Sequence, residues 1–150
     1  MTENRLVRGA TGNNIVADMT VADLNPSQID WLVFPGADKC EAAVNIGREL
    51  QNTIKKHLEN GGKIAAICAA PALVLGPLGI LSETPATGYP FLKEEFKINV
   101  GSYSDDNVVV PDRLITSKGP GPTIEFALAI VEKAKGEETV KALRDGTVIV

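Results

Sequence analysis

The segment at residues 63–71 constrains the fold of this chain most, because a short apolar run ends there in one cysteine and a proline. Gly61 and Gly62 precede the run, whose length and composition are typical of a β-strand buried on both faces. Residues 71–75 suit the first turn of a helix, where a proline is tolerated. The pattern predicts that Cys68 lies on a sharp turn between a strand and a helix, the geometry of a nucleophile elbow.

The position of Cys68 supports two interpretations. A strand-to-helix turn places the thiol near the positive end of a helix dipole and near free backbone N–H groups, and both favour a reactive thiolate. Ala69 and Ala70 leave room for a reactant beside the sulfur. The alternative is a structural cysteine, since free cysteines are among the most buried residues in proteins. This segment alone leaves both interpretations open.

Two other segments predict turns at the same edge of the same sheet. An apolar strand at residues 30–34 leads into a Pro-Gly turn, and another at residues 113–116 leads into a turn at residues 117–122. In a parallel sheet with helical crossovers, such turns lie together at the carboxyl edge, where open α/β sheets hold their sites. We therefore predict an α/β fold with a mainly parallel sheet and a site around Cys68 at that edge.

Three further helices are predicted from spacing and composition. Residues 44–60 carry apolar side chains at helical spacing and end at two glycines, with His57 in a structural position in the last turn. Residues 123–135 predict a second helix that is apolar around much of its circumference. Residues 137–144 predict a short charged helix, and residues 148–150 a terminal strand or tail.

Three motifs occur in an order that resembles the DJ-one/ThiJ/PfpI superfamily. They are Phe-Pro-Gly at residues 34–36, Ala-Ala-Ile-Cys-Ala-Ala-Pro at 65–71 and Ser-Lys-Gly-Pro-Gly at 117–121. The resemblance covers roughly residues 29–143 and is closest to the DJ-one-like branch with its bacterial YajL-type relatives. It implies one domain over residues 1–150 with a flavodoxin-like three-layer αβα sandwich. It also implies that Cys68 is the reactive residue.

The resemblance further implies which residues surround the thiol. The backbone donors to an oxyanion would be Gly36, Ala37 and Ala69, and the residues lining the site would be Tyr89, Ser117, Gly119 and Pro120. Tyr89 occupies the place where some members of the superfamily have a histidine near the thiol. A peptidase of the PfpI type needs a histidine directly after the cysteine, and this chain has Ala69 there, so we predict that it is not a peptidase.

The family's first strand, helix and second strand have no counterpart in the sequence, so we expect an N-terminally truncated domain that lacks the first βαβ portion. The glutamate that hydrogen-bonds the family's cysteine belongs to that unit and cannot be assigned here. Glu41 could replace it, or could be an ordinary solvated carboxylate at a helix start. Removal of a central strand leaves unpaired edges and an uncovered apolar face. We therefore expect a homodimer or a second chain that supplies the missing strand.

Composition excludes several partners and sites. A net charge of −4 argues against nucleic acid, and no apolar run is long enough to span a membrane. One histidine and two cysteines are too few for a zinc site, and no glycine-rich phosphate loop is present, so we expect neither a metal nor another cofactor. The polar start and the small number of cysteines predict a cytoplasmic protein.

Two functions follow as expectations from the resemblance. The first is glyoxalase or deglycase action on a small reactive carbonyl such as methylglyoxal, through a hemithioacetal on Cys68 and slowed by the missing glutamate. The second is a non-enzymatic oxidative-stress sensor or redox chaperone that uses the same thiol. Cys40 could resolve an oxidised Cys68 as a disulfide, or could be an ordinary loop thiol too far away.

Overall fold

The computed structural model describes residues 5–9, 11–37 and 47–149. Over these residues the strands are β1 (Leu6–Arg8), β2 (Asn14–Val16), β3 (Trp31–Phe34), β4 (Lys63–Ile67), β5 (Pro85–Ala86), β6 (Ser102–Tyr103), β7 (Val108–Val109) and β8 (Leu114–Ser117). The α-helices are α1 (Gly47–Glu59), α2 (Lys93–Lys97), α3 (Thr123–Lys135) and α4 (Glu137–Thr147). Shorter helical turns lie at Pro26–Gln28, Pro71–Leu75, Gly76–Leu78 and Pro90–Leu92.

The central sheet has the strand order β3-β4-β8-β7. Strand β4 runs parallel to both β3 and β8, and only β7 is antiparallel to its neighbour. Phe34 pairs with Ala66, and Ile67 pairs with Ser117, so three parallel strands end at nearly the same level. The prediction of an α/β fold with a mainly parallel sheet is confirmed.

Helices cover both faces of this sheet. Alternate residues of a strand point to opposite faces, and Ile64 of β4 packs in one core cluster with Leu50 and Ile54 of α1. Ala65 of β4 instead packs in a second cluster with Phe126 of α3. The sheet therefore lies between two helical layers, as the predicted three-layer αβα sandwich requires.

Helix α1 ends at a glycine turn that leads directly into β4. Gly61 has a φ of 82°, the left-handed conformation that commonly follows the last residue of a helix. The N–H of Gly62 donates to the carbonyl of His57 at 2.9 Å, which closes the turn. The predicted start of this helix at residues 44–46 lies outside the described residues.

Strand β3 forms one edge of the described sheet. Its Val33 is 50% exposed although it lies within the strand, and β4 is its neighbour on the inner side. The β1–β2 hairpin is also exposed along both strands, including Leu6 and Ile15. Apolar surface on an edge strand is usually paired or covered in folded proteins.

Three local features differ from the sequence prediction. The residues after Cys68 form a π-helical turn at Pro71–Leu75 instead of a regular α-helix. Helix α4 extends to Thr147, and Val148 closes it in a left-handed conformation with a φ of 55°. The N–H of Ile149 donates back to Arg144, so residues 148–149 continue the helix end and form no strand.

Among the residues described, no helix has the length and apolar character needed to cross a bilayer.

Candidate functional site

Cys68 lies on a strained turn at the carboxyl end of β4. Its φ is 66°, in the left-handed region that costs an L-residue about 1–2 kcal/mol. Two hydrogen bonds hold it there: its N–H donates to the carbonyl of Ser117 at 2.9 Å, and its carbonyl accepts from the N–H of Tyr89 at 2.8 Å. The thiol is free and half-buried. A strained residue held in this way indicates that the surrounding turns fix the direction of the sulfur.

Gly36 lies directly against the side chain of Cys68. A carbon added to Gly36 would be 2.4 Å from Cβ of Cys68, 2.9 Å from its Sγ and 2.9 Å from the carbonyl oxygen of Ile67. These distances are too short for any side chain, so glycine is required by the close approach of the two turns. The Pro-Gly turn after β3 therefore forms one wall beside the thiol.

The turn after β8 contacts Cys68 through its backbone more than through its side chains. Ser117 is buried, and its hydroxyl donates to the carbonyl of Asn107 at 3.0 Å. Its own carbonyl is the acceptor for the N–H of Cys68. Gly119 is buried and Pro120 is exposed. The carbonyl of Ser117 therefore faces the backbone of Cys68, while its hydroxyl is bonded to the loop before β7.

A third turn beside Cys68 is the one that contains Tyr89. The N–H of Thr87 donates to the hydroxyl of Thr116 at 2.9 Å, and both residues are buried, which anchors this turn to β8. A carbon added to Gly119 would lie 3.8 Å from Cδ2 of Tyr89, so the tyrosine ring lies over the Gly119 turn. The ring of Phe91 is 5.3 Å from that of Tyr89, centroid to centroid.

A polar network lies next to this turn. The Lys93 ammonium bonds both carboxylate oxygens of Asp105 at 2.9 Å and lies 4.7 Å from the ring centroid of Tyr103. The hydrogen bond from Lys93 lowers the pKa of the Asp105 carboxyl and raises the pKa of Lys93 itself. The Lys118 ammonium donates to the backbone carbonyl of Asp105. The network therefore ties the loop after β6 to the turn after β8.

The structure brings together most of the residues predicted for the site. Its described turns place Gly36, Ala69, Tyr89, Ser117 and Gly119 around Cys68. Ala37 follows Gly36 and is exposed, as is Pro120. Cys40, the predicted resolving thiol, and Glu41, the predicted substitute carboxylate, lie outside the described residues.

His57 lies at the other end of β4. Its ring is fully buried, and Nε2 is 2.9 Å from the carbonyl oxygen of Lys63, the first residue of that strand. The structural position predicted for it agrees with this packing. In the described part of the chain, no group of three or more His, Cys, Asp or Glu side chains could hold a metal ion.

Sequence reasoning missed Thr116 and Phe91. Thr116 lies inside an apolar strand, and its partner Thr87 is 29 residues away, so no local pattern pairs them. Phe91 follows Tyr89 and Pro90 in the sequence. A proline between two aromatic residues is a local pattern that could have indicated a rigid turn with two neighbouring rings.

Comparison with known proteins agrees with this geometry. A sequence model of the DJ-1/PfpI family matches residues 1–133. Glutathione-independent glyoxalase DJR-1.2 of Caenorhabditis elegans is 39% identical over 140 residues, which cover 91% of this chain and 72% of the worm protein. Protein DJ-1 homolog A of Arabidopsis thaliana is 37% identical over 127 residues, and the match spans only 32% of that longer protein.

Comparison of the fold with solved structures points to the same family. The crystal structure of Drosophila melanogaster DJ-1beta matches with a TM-score of 0.88 at 34% identity, and the match covers 98% of this chain and 78% of the fly chain. The family model and these relatives together establish that the chain belongs to the DJ-1/PfpI family.

Proposed function

We propose that this chain is a cysteine-dependent enzyme of glyoxalase or deglycase type that acts on small reactive carbonyls. The observation that carries the proposal is the strained, half-buried Cys68 at the meeting point of three turns. A relative that covers most of this chain is named a glutathione-independent glyoxalase, which supports the same chemistry here. The reaction needs no external thiol such as glutathione, because the thiol of Cys68 is the nucleophile.

The proposed reaction begins with addition of the Cys68 thiolate to the aldehyde carbon of a 2-oxoaldehyde. A C–S bond forms, the carbonyl electron pair moves to oxygen, and that oxygen takes a proton to give a hemithioacetal. The proton on the same carbon then passes to the neighbouring carbonyl carbon through an enediol, which leaves a thioester of a 2-hydroxy acid. Water hydrolyses the thioester and frees the thiol. Deglycase action would apply the same thiol to an amine adduct of the carbonyl and release the amine.

The backbone around the thiol would stabilise the oxyanion that forms in the first step. Ala69 directly follows Cys68 on the same turn, and the Gly36 and Ala37 turn packs beside the sulfur. Backbone N–H groups placed where negative charge develops are worth about 10²–10³-fold in rate in hydrolytic enzymes. We assign this role to Ala69 first, with Gly36 and Ala37 as further donors.

The proton transfer between the two carbons is the demanding step. General acid–base assistance is typically worth about 10²–10⁴-fold. The resemblance assigns this role to a glutamate with no matching position in the sequence. We therefore propose a slow enzyme, whose rate would increase if a carboxylate were supplied next to Cys68.

The test is consumption of methylglyoxal and appearance of lactate in the absence of glutathione. We expect Cys68→Ser to reduce the rate to that of buffer, while Cys40→Ser, which changes the other thiol of the chain, leaves it unchanged. Equal rates for the wild-type protein and Cys68→Ser would overturn the proposal.

A second candidate is an oxidative-stress sensor or redox chaperone that uses the same residue. The free, half-buried state of Cys68 favours it, because accessible thiolates are the sites that peroxide oxidises. Stoichiometric peroxide would then add oxygen to Cys68 without any turnover of methylglyoxal. A disulfide to Cys40, seen as loss of both free thiols, would identify Cys40 as the resolving residue.

We further propose that the chain pairs with a second copy, or with a chain that adds a strand, at the open edge of β3, and that it works in the cytoplasm. The half-exposed Val33 on this edge supports pairing. Val33→Lys would place a charge there, which natural edge strands use against association. We expect this variant to shift the sedimentation profile towards the monomer. A wild-type protein that sediments as a monomer at all concentrations would contradict the pairing.

A further inference from the structure

Phe91 is the most exposed large apolar side chain near the site, at 84% exposure. It lies on an ordered turn: the N–H of Leu92 donates to the carbonyl of Tyr89 at 2.9 Å, and Pro90 fixes the backbone between the two rings. The Tyr89 and Phe91 rings are 5.3 Å apart with an interplanar angle of 44°. The chain therefore holds an aromatic pair in a fixed position while one member faces solvent.

This aromatic pair is directly connected to the reactive residue. The N–H of Tyr89 donates to the carbonyl of Cys68 at 2.8 Å. The residue that carries the inner ring of the pair is therefore hydrogen-bonded to the backbone of the reactive cysteine. The same ring lies against Gly119 of the turn after β8. The aromatic surface thus extends outward from the wall of the site to Phe91.

Within the described part of the chain, two lysines beside this surface are already hydrogen-bonded. Lys93 is bonded to the Asp105 carboxylate, and the Lys118 ammonium donates to the Asp105 carbonyl. A charged substituent would therefore compete with existing partners, whereas a neutral aromatic one would meet open ring surface. Two aromatic rings attract each other by about 0.5–1.5 kcal/mol beyond the area they bury.

We infer that Tyr89 and Phe91 form a subsite for the carbon substituent of the carbonyl substrate, and that it favours aryl 2-oxoaldehydes over methylglyoxal. This inference rests on the proposed function, since it presumes that the aldehyde carbon adds to Cys68. Addition forms the C–S bond and moves the thiol proton to the new hydroxyl, with no oxidant or reductant. The aryl group would then lie outward along the aromatic surface, where Phe91 is exposed.

The experiment measures how well each aldehyde protects Cys68 from iodoacetamide, using phenylglyoxal and methylglyoxal as probes. Protection requires only that the hemithioacetal forms, so the experiment measures aldehyde binding to Cys68 even if turnover is slow. Mass spectrometry of the Cys68 peptide separates this reaction from arginine adducts. N-acetylcysteine gives the intrinsic difference in electrophilicity between the two aldehydes.

Phe91→Ala is the test variant, and Ile98→Ala is its control, because Ile98 is 83% exposed at the end of α2 and lies outside the aromatic pair. We expect Phe91→Ala to weaken protection by phenylglyoxal about threefold to tenfold, with methylglyoxal changed less than about twofold. Phe91→Leu, which keeps an apolar side chain, should show an intermediate loss. Ile98→Ala should change neither aldehyde.

The outcomes separate the two proposals. If neither aldehyde protects Cys68 in the wild-type protein, the proposed function is overturned and the subsite with it. If both aldehydes protect the thiol, and Phe91→Ala changes both by the same factor or changes neither, the subsite is overturned while the function stands.

Discussion

Gly36 and Cys68 are in such close contact that the end of one strand forms the wall beside the thiol carried by the next. A carbon on Gly36 would lie 2.9 Å from the sulfur, inside the distance that any side chain tolerates. The contact exists because Phe34 and Ala66 pair in register, which brings the ends of β3 and β4 to the same level. The position of the thiol is therefore set by strand pairing as much as by its own turn.

Gly36→Ala should disturb this contact. Overpacking a close contact typically costs about 1–3 kcal/mol, and we expect that loss in the free energy of unfolding together with a changed alkylation rate at Cys68. Denaturant unfolding and iodoacetamide kinetics measure the two effects. Gly121→Ala is the matched control, since a carbon there meets nothing within 4 Å. If Gly36→Ala behaved like Gly121→Ala, the close contact would not exist in solution.

The left-handed conformation of Cys68 gives a second prediction. Glycine adopts this conformation without strain, whereas alanine does not. We therefore expect Cys68→Gly to be more stable than Cys68→Ala by about 1 kcal/mol, although glycine usually destabilises. Both variants remove the sulfur, so the comparison isolates the backbone. An alanine variant that equals or exceeds the glycine variant in unfolding free energy would contradict a positive φ at residue 68.

The hydrogen bond between Thr87 and Thr116 should stabilise the turn that carries Tyr89. Thr116→Val leaves the buried N–H of Thr87 without its acceptor, which typically costs about 1–3 kcal/mol. Thr116→Ser keeps the hydroxyl and should recover most of that loss. The Thr87 hydroxyl is buried and has no hydrogen-bond partner within the described ranges, so Thr87→Val should be neutral or stabilising. Thermal unfolding of the three variants checks the order.

The ion pair of Lys93 and Asp105 gives a pH prediction. The pKa of Asp105 is lowered by the hydrogen bond from Lys93, so its contribution is full above the ordinary carboxyl value of about 3.9 and is lost as pH falls through the lower folded value. The pKa of Lys93 is raised, so its contribution is full below about 10.4 and is lost as pH rises through the folded value.

Asp105→Asn should therefore lower the melting temperature slightly between these limits and have no effect in strong acid. The effect is small because the Asp105 side chain is 74% exposed and the Lys93 side chain 32% exposed, so solvent screens the pair. In a Lys93→Met background, the same substitution should cause little further change, because the partner is already gone. A constant difference between wild type and Asp105→Asn down to the acid limit would show that the pair does not form.

The three strands whose ends meet around Cys68 could be predicted because their signals are local. The apolar run of β4, the Pro-Gly turn after β3 and the spacing of α3 each lie within a few neighbouring residues. Helix α3 extends over Thr123–Lys135, as predicted, and Gly136 follows it. Local patterns of this kind predict the structure correctly where tertiary packing favours the same conformation as the local sequence.

Features that depend on distant residues could not be predicted. The two-residue strands β5 and β6 pair in parallel, yet they are too short to show any periodicity. The left-handed turn at Cys68 is held by Ser117 and Tyr89, which are far away in sequence. The helix predicted at residues 137–144 is shorter than α4, which continues through Gly146 to Thr147 although glycine is unfavourable inside a helix.

His57, the single histidine of the chain, has one consequence for experiment. Its ring is enclosed by packing, and a carbon on Gly62 would lie 2.3 Å from it, so the backbone of the turn lies against the imidazole. An imidazole reagent such as diethyl pyrocarbonate would react only when the junction of α1 and β4 opens. Carbethoxylation of His57 and alkylation of Cys68 would then report separately on the motions of the two ends of β4.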